Sequence, residues 1–498
     1  MWKMRIALQK SRNWVGINST KLDVSRFLLI LIVVSSLTLA IPNLLRTYKE
    51  GEGLIGDQSY LYVRLAEYVV ANNQFPDYDQ LSFQGRPFKY SPGWIFLLAS
   101  LHSLVGLSII ALSKILPVIF GMLTIISLFL LLKRFRLLDS QIISAVIIFL
   151  LSAPFIYISS ISSPLVVVIL LSILGFYFFS FHSKIGLVLS VFCFSLIPFF
   201  MLLYGFIIMA LLLIYVLIID RRQLKKALVI FSFFLLIYSY FIIFLGPINI
   251  SDFNVNETIE FPIAEFGAAY GISLFGLILS LFGLYKLYFK KQVKIFLYLL
   301  LPILLFLSVK YLELVPLVNI LVSVLAGIGF VNLYKMKWES QLIKKVTLVV
   351  LVISIVASSL IYVNRLTTIN PSVGLIDGVN YLERIGGPTD TVFAHYSLGY
   401  YINYAGKKDV TDSYFLYAPN FKKRVYDSNR FFYSEDVALI DKFIKDYSID
   451  YVLFDKDTYN LIYGEKDRNR YLPFFLSNYK RFKLVFNNTE VSIWKVYP

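Results

Sequence analysis

The chain has 498 residues, of which 58% are Ala, Val, Ile, Leu, Met, Phe, Trp, Tyr or Cys and only 16% are charged, with a mean hydropathy of +0.71. That balance excludes an ordinary water-soluble domain and a disordered chain, and points to a multi-pass membrane protein. One cysteine, Cys193, and three scattered histidines, His102, His182 and His395, exclude disulfides and argue against zinc, while the net charge of +16 has to be read by its distribution.

Residues 1–26 form a basic tail ahead of the first apolar run, 27–45, and carry no small-residue cleavage pattern, so this run reads as a retained signal anchor with a cytoplasmic N-terminus. The longest polar interval in the first two thirds of the chain follows, from Gly56 to Trp94. Asp57, Tyr60, Arg64 and Tyr68 stand at i, i+3, i+7 and i+11, which places a carboxylate, a guanidinium and two phenols on one helix face. Phe75-Pro76-Asp77-Tyr78-Asp79 breaks that helix, and Arg86-Pro87-Phe88-Lys89-Tyr90-Ser91-Pro92-Gly93 adds cations and restricted turns. The stripe suits a site, and it suits equally an amphipathic helix on a membrane surface.

Apolar length predicts spans at 27–45, 110–132, 138–156, 165–181, 185–199, 200–219, 227–245, 272–289, 295–309, 314–333 and 346–363, eleven in all. The fragment from Trp94 to Val105 is too short for the roughly 20 residues a crossing needs. With the N-terminus inside, the basic clusters at 133–136, 221–226, 286–294 and 335–345 all fall inside. The outer loop 246–271 carries Asp252, Glu257, Glu260 and Glu265 without a Lys or Arg. The positive charge therefore reports topology and attraction to an anionic lipid bilayer, and no nucleic acid is implied.

From 364 the composition turns soluble. A short helix is expected at 377–384, a strand at 391–394, a helix at 436–447, and strands at 451–454, 482–486 and 491–496, the last two joined as a hairpin across Asn488. The fold class is thus an α-helical polytopic membrane protein of about 11 spans, 27–363, with outer loops at 46–109 and 246–271, and an extracytoplasmic α/β domain at 364–498.

This order of a basic-tailed span, an outer loop with Asp-x-x-Tyr-x-x-x-Arg, Phe-Pro-x-x-Asp and Tyr-x-Pro-Gly, many spans and an outer soluble domain resembles the GT-C superfamily of membrane glycosyltransferases. Within it, the chain is similar over nearly its whole length to the archaeal-type catalytic subunit of oligosaccharyltransferase and its relatives. The resemblance implies that Asp57 is catalytic and binds a divalent metal, Mg²⁺ or Mn²⁺, and that Glu265, in Pro262-Ile263-Ala264-Glu265, is an acceptor-facing carboxylate. It also implies that Lys310, ahead of Pro316, stands where the family places an Arg against the lipid phosphate. Tyr60, Arg64, Arg86 and Tyr90 complete the expected substrate contacts.

Two motifs are degenerate. The family's second acidic motif falls on Tyr157-Ile158-Ser159-Ser160-Ile161-Ser162-Ser163-Pro164, which has no carboxylate, and its Trp-Trp-Asp-Tyr-Gly motif falls on His395-Tyr396-Ser397-Leu398-Gly399, with Ser397 in place of the acid. One carboxylate holds a hard cation poorly, so either Asp77, Asp79 or Glu67 completes the shell, or Lys310 and Arg86 replace the metal, or activity is lost. The expected activity is transfer of a sugar, with inversion, from a polyprenyl-phosphate or diphosphate carrier to an extracytoplasmic glycan, lipid or protein acceptor, and not standard sequon-directed oligosaccharyl transfer. The alternative is a non-catalytic protein of the same fold that binds or transports lipid-linked glycan. Internal repeats and ionisable groups inside the spans, which a transporter would carry, are not evident.

Overall fold

The computed structural model describes residues 24–51, 53–218, 220–245, 262–264, 270–286, 291–415, 418–464 and 470–497. The membrane part opens with α1 (Val24–Glu50). The first polar segment follows as α2 (Asp57–Asn72), the two-residue strands β1 (Tyr78–Asp79) and β2 (Arg86–Pro87), and α3 (Gly93–Val105). Apolar helices then continue as α4 (Ile109–Arg134), α5 (Asp139–Leu150), α6 (Ala153–Ile158), α7 (Leu165–Phe179), α8 (Lys184–Phe200) and α9 (Leu202–Ile218). After α10 (Leu224–Leu245) and the short parallel pair β3 (Ile263–Ala264) and β4 (Ile272–Ser273) come α11 (Leu274–Lys286), α12 (Lys291–Lys310), α13 (Val315–Lys335) and α14 (Gln341–Leu366).

Every expected span but one coincides with a single one of these helices. Among the described residues five, α1, α4, α10, α13 and α14, are long and apolar enough to cross a membrane by themselves. The run expected as one span at 138–156 is broken into α5 and α6. Pro154 lacks an N–H and cannot continue α5, but it fits the first turn of a new helix. Ser152, at the break, donates to Phe149 O and accepts from Asn319 Nδ2 at 2.7 Å, which ties the kink to α13. Helix α13 packs closely on α11 because a Cβ at Gly283 would fall 2.0 Å from Leu325 O and one at Gly329 would fall 2.1 Å from Leu279 O. Small residues let backbones meet where lipid supplies no hydrophobic drive.

The C-terminal part is built on a five-stranded sheet in the order β6-β5-β7-β9-β8. Its strands are β5 (Thr391–Phe393), β6 (Lys408–Asp409), β7 (Ile449–Asp455), β8 (Phe482–Asn487) and β9 (Val491–Val496). β6, β5 and β7 are parallel, and β9 runs antiparallel to β7 and to β8. The hairpin at Asn488 forms as expected, its Oδ1 accepting from Glu490 N at 2.9 Å and Val491 N at 2.7 Å. Helices α15 (Val373–Arg384), α16 (Gly399–Tyr404), α17 (Phe421–Phe432), α18 (Val437–Tyr447), α19 (Lys456–Tyr463) and α20 (Tyr471–Asn478) cover the sheet. Ser372 caps α15 and Asp436 caps α18, each with a side-chain oxygen on a first-turn N–H. The sequence reading places the start of α15 too late, because Val373, Gly374, Leu375 and Ile376 lack the polar face that marked the rest of the helix.

The sheet domain and the first polar segment share one core. Tyr60, Leu61, Val63 and Leu65 of α2 pack in the same cluster as Leu375, Tyr401, Ile402, Leu453 and Val491. Arg46 at the end of α1, 1% exposed, donates to Ile369 O at 2.6 Å and to Pro371 O at 2.5 Å, pinning the segment that leads into the sheet domain. Helix α2 therefore lies under the domain, which is where the candidate residues meet.

Candidate functional site

Gly56, with φ +76°, turns the chain into α2, and Asp57 is the first helical residue. Its side chain does not cap the helix from the N-cap position; Oδ1 accepts from the adjacent Gln58 N at 2.8 Å. Oδ2 accepts from the hydroxyl of Ser413, 356 positions away in the sheet domain. The half-buried carboxylate is pushed above its ordinary pKa by desolvation, with the charge of nearby Asp412 adding to the push and the Ser413 hydrogen bond opposing it.

One turn on, Tyr60 is buried with its ring edge-on to Tyr401 and Tyr404 at 5.0 and 5.1 Å, and its hydroxyl accepts from Leu54 N. Arg64 forms a fork on Asp79, at 2.9 and 2.5 Å, and so clamps β1 to α2. Tyr68 is exposed. The stripe read from the sequence thus faces the sheet domain at its start and solvent at its end.

Arg86 is 1% exposed. It donates to Tyr414 O, to Tyr90 Oη at 2.6 Å and to Asp412 Oδ2 at 3.0 Å, and its guanidinium lies within 5.5 Å of the Phe83, Tyr90 and Tyr414 ring centroids. Asp412 also accepts from the Ser82 hydroxyl and from Tyr414 N at 2.8 Å. Its neighbour Asp409 accepts from Phe83 N at 2.5 Å, while its Oδ2 is buried without a partner. Burial, with Asp412 adding, holds Asp409 well above the usual carboxylate range. Tyr90 is buried between Arg86 and Tyr400, 3.3 Å from the Tyr400 hydroxyl. Arg86 and Tyr90 are therefore turned to protein partners, joining the first polar segment to the loop after β6.

Lys310 ends α12 and is exposed, its Nζ 5.7 Å from the centroid of the Tyr311 ring. Glu265 lies outside the described residues. The serines on which the second acidic motif falls are buried: Ser162 N donates to Ser59 Oγ at 3.1 Å, and Trp94 Nε1 donates to Ser162 Oγ at 3.0 Å. Ser397 lies 2.8 Å, Oγ to Nδ1, from His395, whose pKa burial lowers to about 4.

Among the described residues, the carboxylates expected to complete a Mg²⁺ or Mn²⁺ shell do not converge on Asp57. Among the described residues no three of His, Cys, Asp and Glu converge for a metal. Of the proposed partners, Asp79 is forked to Arg64, and Asp77 and Glu67 are exposed. Glu67 lies ten residues further along α2, about 15 Å away by the rise of a helix. Asp412 stands near Asp57 but is held by Arg86, Ser82 and Tyr414. Mg²⁺ keeps several waters and is commonly held by one or two protein carboxylates with substrate phosphates, so of these residues Asp57 is the one that would hold it.

Asp409, Asp412 and Ser413 were passed over in the sequence. The available signal was Lys408-Asp409-Val410-Thr411-Asp412-Ser413, two acids leaving the C-terminal end of a strand, where parallel sheets place their sites.

No family model matches the sequence and no curated protein matches it. Solved structures do resemble it. The archaeal oligosaccharyltransferase AglB from Archaeoglobus fulgidus, in complex with an inhibitory peptide and a dolichol-phosphate, superposes with a TM-score of 0.63 at 11% identity, over 89% of this chain and 70% of that one. The same organism's oligosaccharyltransferase in complex with Zn and sulfate gives 0.59 at 11% identity, over 94% and 73%. The arabinofuranosyltransferase AftD from Mycobacteria gives 0.57 at 14%, over 95% and 42%, and ArnT from Cupriavidus metallidurans 0.53 at 12%, over 95% and 98%. The chain shares the fold of these structures.

Proposed function

We propose that this chain is a GT-C glycosyltransferase that moves a sugar from a polyprenyl-phosphate or diphosphate carrier to an extracytoplasmic acceptor. The observation that carries the reading is the Asp57 carboxylate, raised in pKa and held by Ser413 where α2 meets the sheet domain. A carboxylate lifted toward neutrality by burial is suited to take a proton. An acceptor oxygen attacks the anomeric carbon from the face opposite the phosphate. The bond from that carbon to the phosphate oxygen breaks, its electron pair leaves with the phosphate, and the acceptor's proton passes to Asp57. The configuration inverts. Lys310, exposed at the outer end of α12, supplies the cation for the departing phosphate. No step is routed through a metal. Glu265 keeps its proposed place as an acceptor-facing carboxylate, and the buried Arg86 and Tyr90 position the loop that carries Ser413.

In this reading the N-terminus is cytoplasmic and the sheet domain extracytoplasmic. Protease added to intact cells is expected to cut within 364–498 and to spare the basic loop at 335–345; protection of the domain with cleavage of the loop would reverse the topology. The acceptor follows from Ser397, whose hydroxyl engages His395. Purified protein given a lipid-linked sugar is expected to label an Asn-x-Ser/Thr peptide poorly or not at all while labelling a lipid or glycan acceptor. Efficient peptide labelling would overturn that choice of acceptor.

A further inference from the structure

Helix α15 has two faces. Leu375, Val379 and Leu382 are buried in the core shared with α2 and the sheet, while Asp377, Asn380, Tyr381 and Arg384 stand at i, i+3, i+4 and i+7 on the opposite side. By itself such a stripe is a solvated helix face. Here it forms one wall of a cleft of about 370 Å³, and Phe486 of β8 with Asn488 of the hairpin turn forms the other. The half-buried Tyr381 and Phe486 rings are stacked, centroids 4.9 Å apart and planes 29° from parallel. The walls are held in place: Asn488 Nδ2 donates to Gly374 O at 3.0 Å, and Gly374 N donates to Glu490 Oε2 at 3.0 Å. A Cβ at Gly374 would fall 2.6 Å from Glu490 Oε2, and one at Gly378 2.9 Å from Val491 Cγ1, so glycine lets helix and hairpin approach closely enough to make the cleft. Among the described residues the side chains of Asp377, Asn380 and Arg384 make no hydrogen bond or ion pair with the protein. Asp377 and Arg384 are seven positions apart, about 10 Å by the rise of a helix, so they stand at opposite ends of the cleft and leave each other unpaired.

We propose that this cleft is a saccharide-binding site, separate from the Asp57 site, which takes one or two neutral sugar units of a glycan chain. Its volume lies within the roughly 300–1,000 Å³ of small-molecule sites. A carboxylate only accepts hydrogen bonds and a guanidinium only donates them, whereas the Asn380 amide does both. Sugar hydroxyls donate and accept, so one ligand satisfies all three groups. An anionic ligand meets Asp377 as a like charge and a cationic one meets Arg384, which favours a neutral occupant. Tyr381 and Phe486 supply apolar surface with a negative ring face for sugar C–H groups. An extended peptide would be captured by backbone hydrogen bonds along an open strand edge, and the cleft lies between α15 and the hairpin instead. The bonded walls spare the ligand the cost of ordering them. None of the six lining residues bonds to Asp57 or Ser413, and α2 packs on the other face of α15. The cleft therefore holds a glycan away from the reacting centre, and its occupancy does not depend on transfer.

The test is ligand-observed NMR titration of purified full-length protein, without donor lipid. The probes are neutral trisaccharides of glucose, mannose, galactose and N-acetylglucosamine, with trigalacturonate and a Gly-Ser hexapeptide as contrasts. Wild type is expected to bind at least one neutral trisaccharide more tightly than either contrast. Tyr381→Ala is expected to weaken that binding about tenfold or more, and Asp377→Ala and Asn380→Ala each by about threefold or more. Asp57→Asn is expected to bind as wild type does. Should thermal unfolding show that Tyr381→Ala loosens the domain, the two polar variants decide the matter, because their side chains hold no protein partner. No neutral trisaccharide bound at millimolar concentration, binding indifferent to the polar variants, or a uronate or peptide bound as tightly as the best neutral sugar would each overturn the proposal. So would loss of binding in Asp57→Asn, which would put the sugar at the other site. Cleft-dependent binding in a protein that transfers nothing to any acceptor would sink the catalytic reading and leave this one standing.

Discussion

Replacing Asp57 with alanine is expected to lower turnover by about 10²-fold or more with little change in membrane insertion, because the proposed mechanism gives it the acceptor's proton. Asp57→Asn is equally inactive. The amide fills the same space and still accepts from Ser413 and Gln58, but it takes up no proton. If the only role of Asp57 were to begin α2, asparagine would retain activity, since it serves a helix start nearly as well. Ser413→Ala separates geometry from acidity. The hydroxyl bonds the charged carboxylate and holds its pKa down against desolvation, so its loss raises that pKa further. A base must be deprotonated to act, so activity falls as pH drops through the Asp57 pKa. The acid limb of the rate profile therefore lies above the ordinary carboxylate value of about 4 in wild type and moves to higher pH in Ser413→Ala. Unchanged turnover in Asp57→Asn would remove Asp57 from the chemistry. Chelation followed by addition of Mg²⁺ or Mn²⁺ is expected to leave wild-type turnover unchanged, and restored activity on adding the ion would reinstate the metal.

The second large effect is structural. Asp412→Ala removes the carboxylate hydrogen-bonded to the Arg86 guanidinium, buried among Phe83, Tyr90 and Tyr414, leaving it only the more distant charges of Asp79 and Asp409, and should cost about 3–5 kcal/mol. Arg86→Ala strands the buried Asp412 in the same way. Thermal unfolding and limited proteolysis should report release of the sheet domain from α2 in both. The double variant Arg86→Met with Asp412→Leu should lose less than either single change, because a pair removed together leaves no unpaired buried charge. Additive losses would show that the two residues act independently. Asp409 adds a pH dependence. Its folded pKa is raised, so the folded state holds more protons than the unfolded one between the ordinary value, about 3.9, and the raised one. Stability is then fully present at low pH and falls as pH rises through that window. Asp409→Asn, which mimics the protonated acid, should flatten this slope; an unchanged slope would place the raised titration elsewhere.

Much of the architecture was legible in the residues. The apolar runs coincide with helices, and the hairpin at Asn488 and the helix after Asp436 form where their turn and cap residues stand. The stripe of Asp57, Tyr60, Arg64 and Tyr68 falls on α2, whose start meets the sheet domain through Asp57 and Ser413. The break at Pro154 was hidden because the hydropathy of a kinked pair of helices equals that of a straight one. The functions of Arg86 and Tyr90 were hidden for a different reason. A cation and a phenol in an outer loop suit a ligand and a buried partner equally well, and the partner was 326 residues away.

By itself the sequence determined what depends on local period, composition and turn chemistry: which segments are apolar enough to leave water and which stretches form helices or strands. Only the tertiary structure decided which polar groups meet. Ser413 reaches Asp57 across 356 positions and Asp409 reaches the backbone of Phe83 across 326, and the sheet runs in the order β6-β5-β7-β9-β8. Phe83, buried in a left-handed conformation at φ +50°, holds that shape against its side chain because the domain supplies its hydrogen-bond partner. The physical reason is the same throughout. A carboxylate's character is set by what removes its water and what bonds it, and those neighbours are chosen by packing between segments whose separation in sequence carries no trace of it.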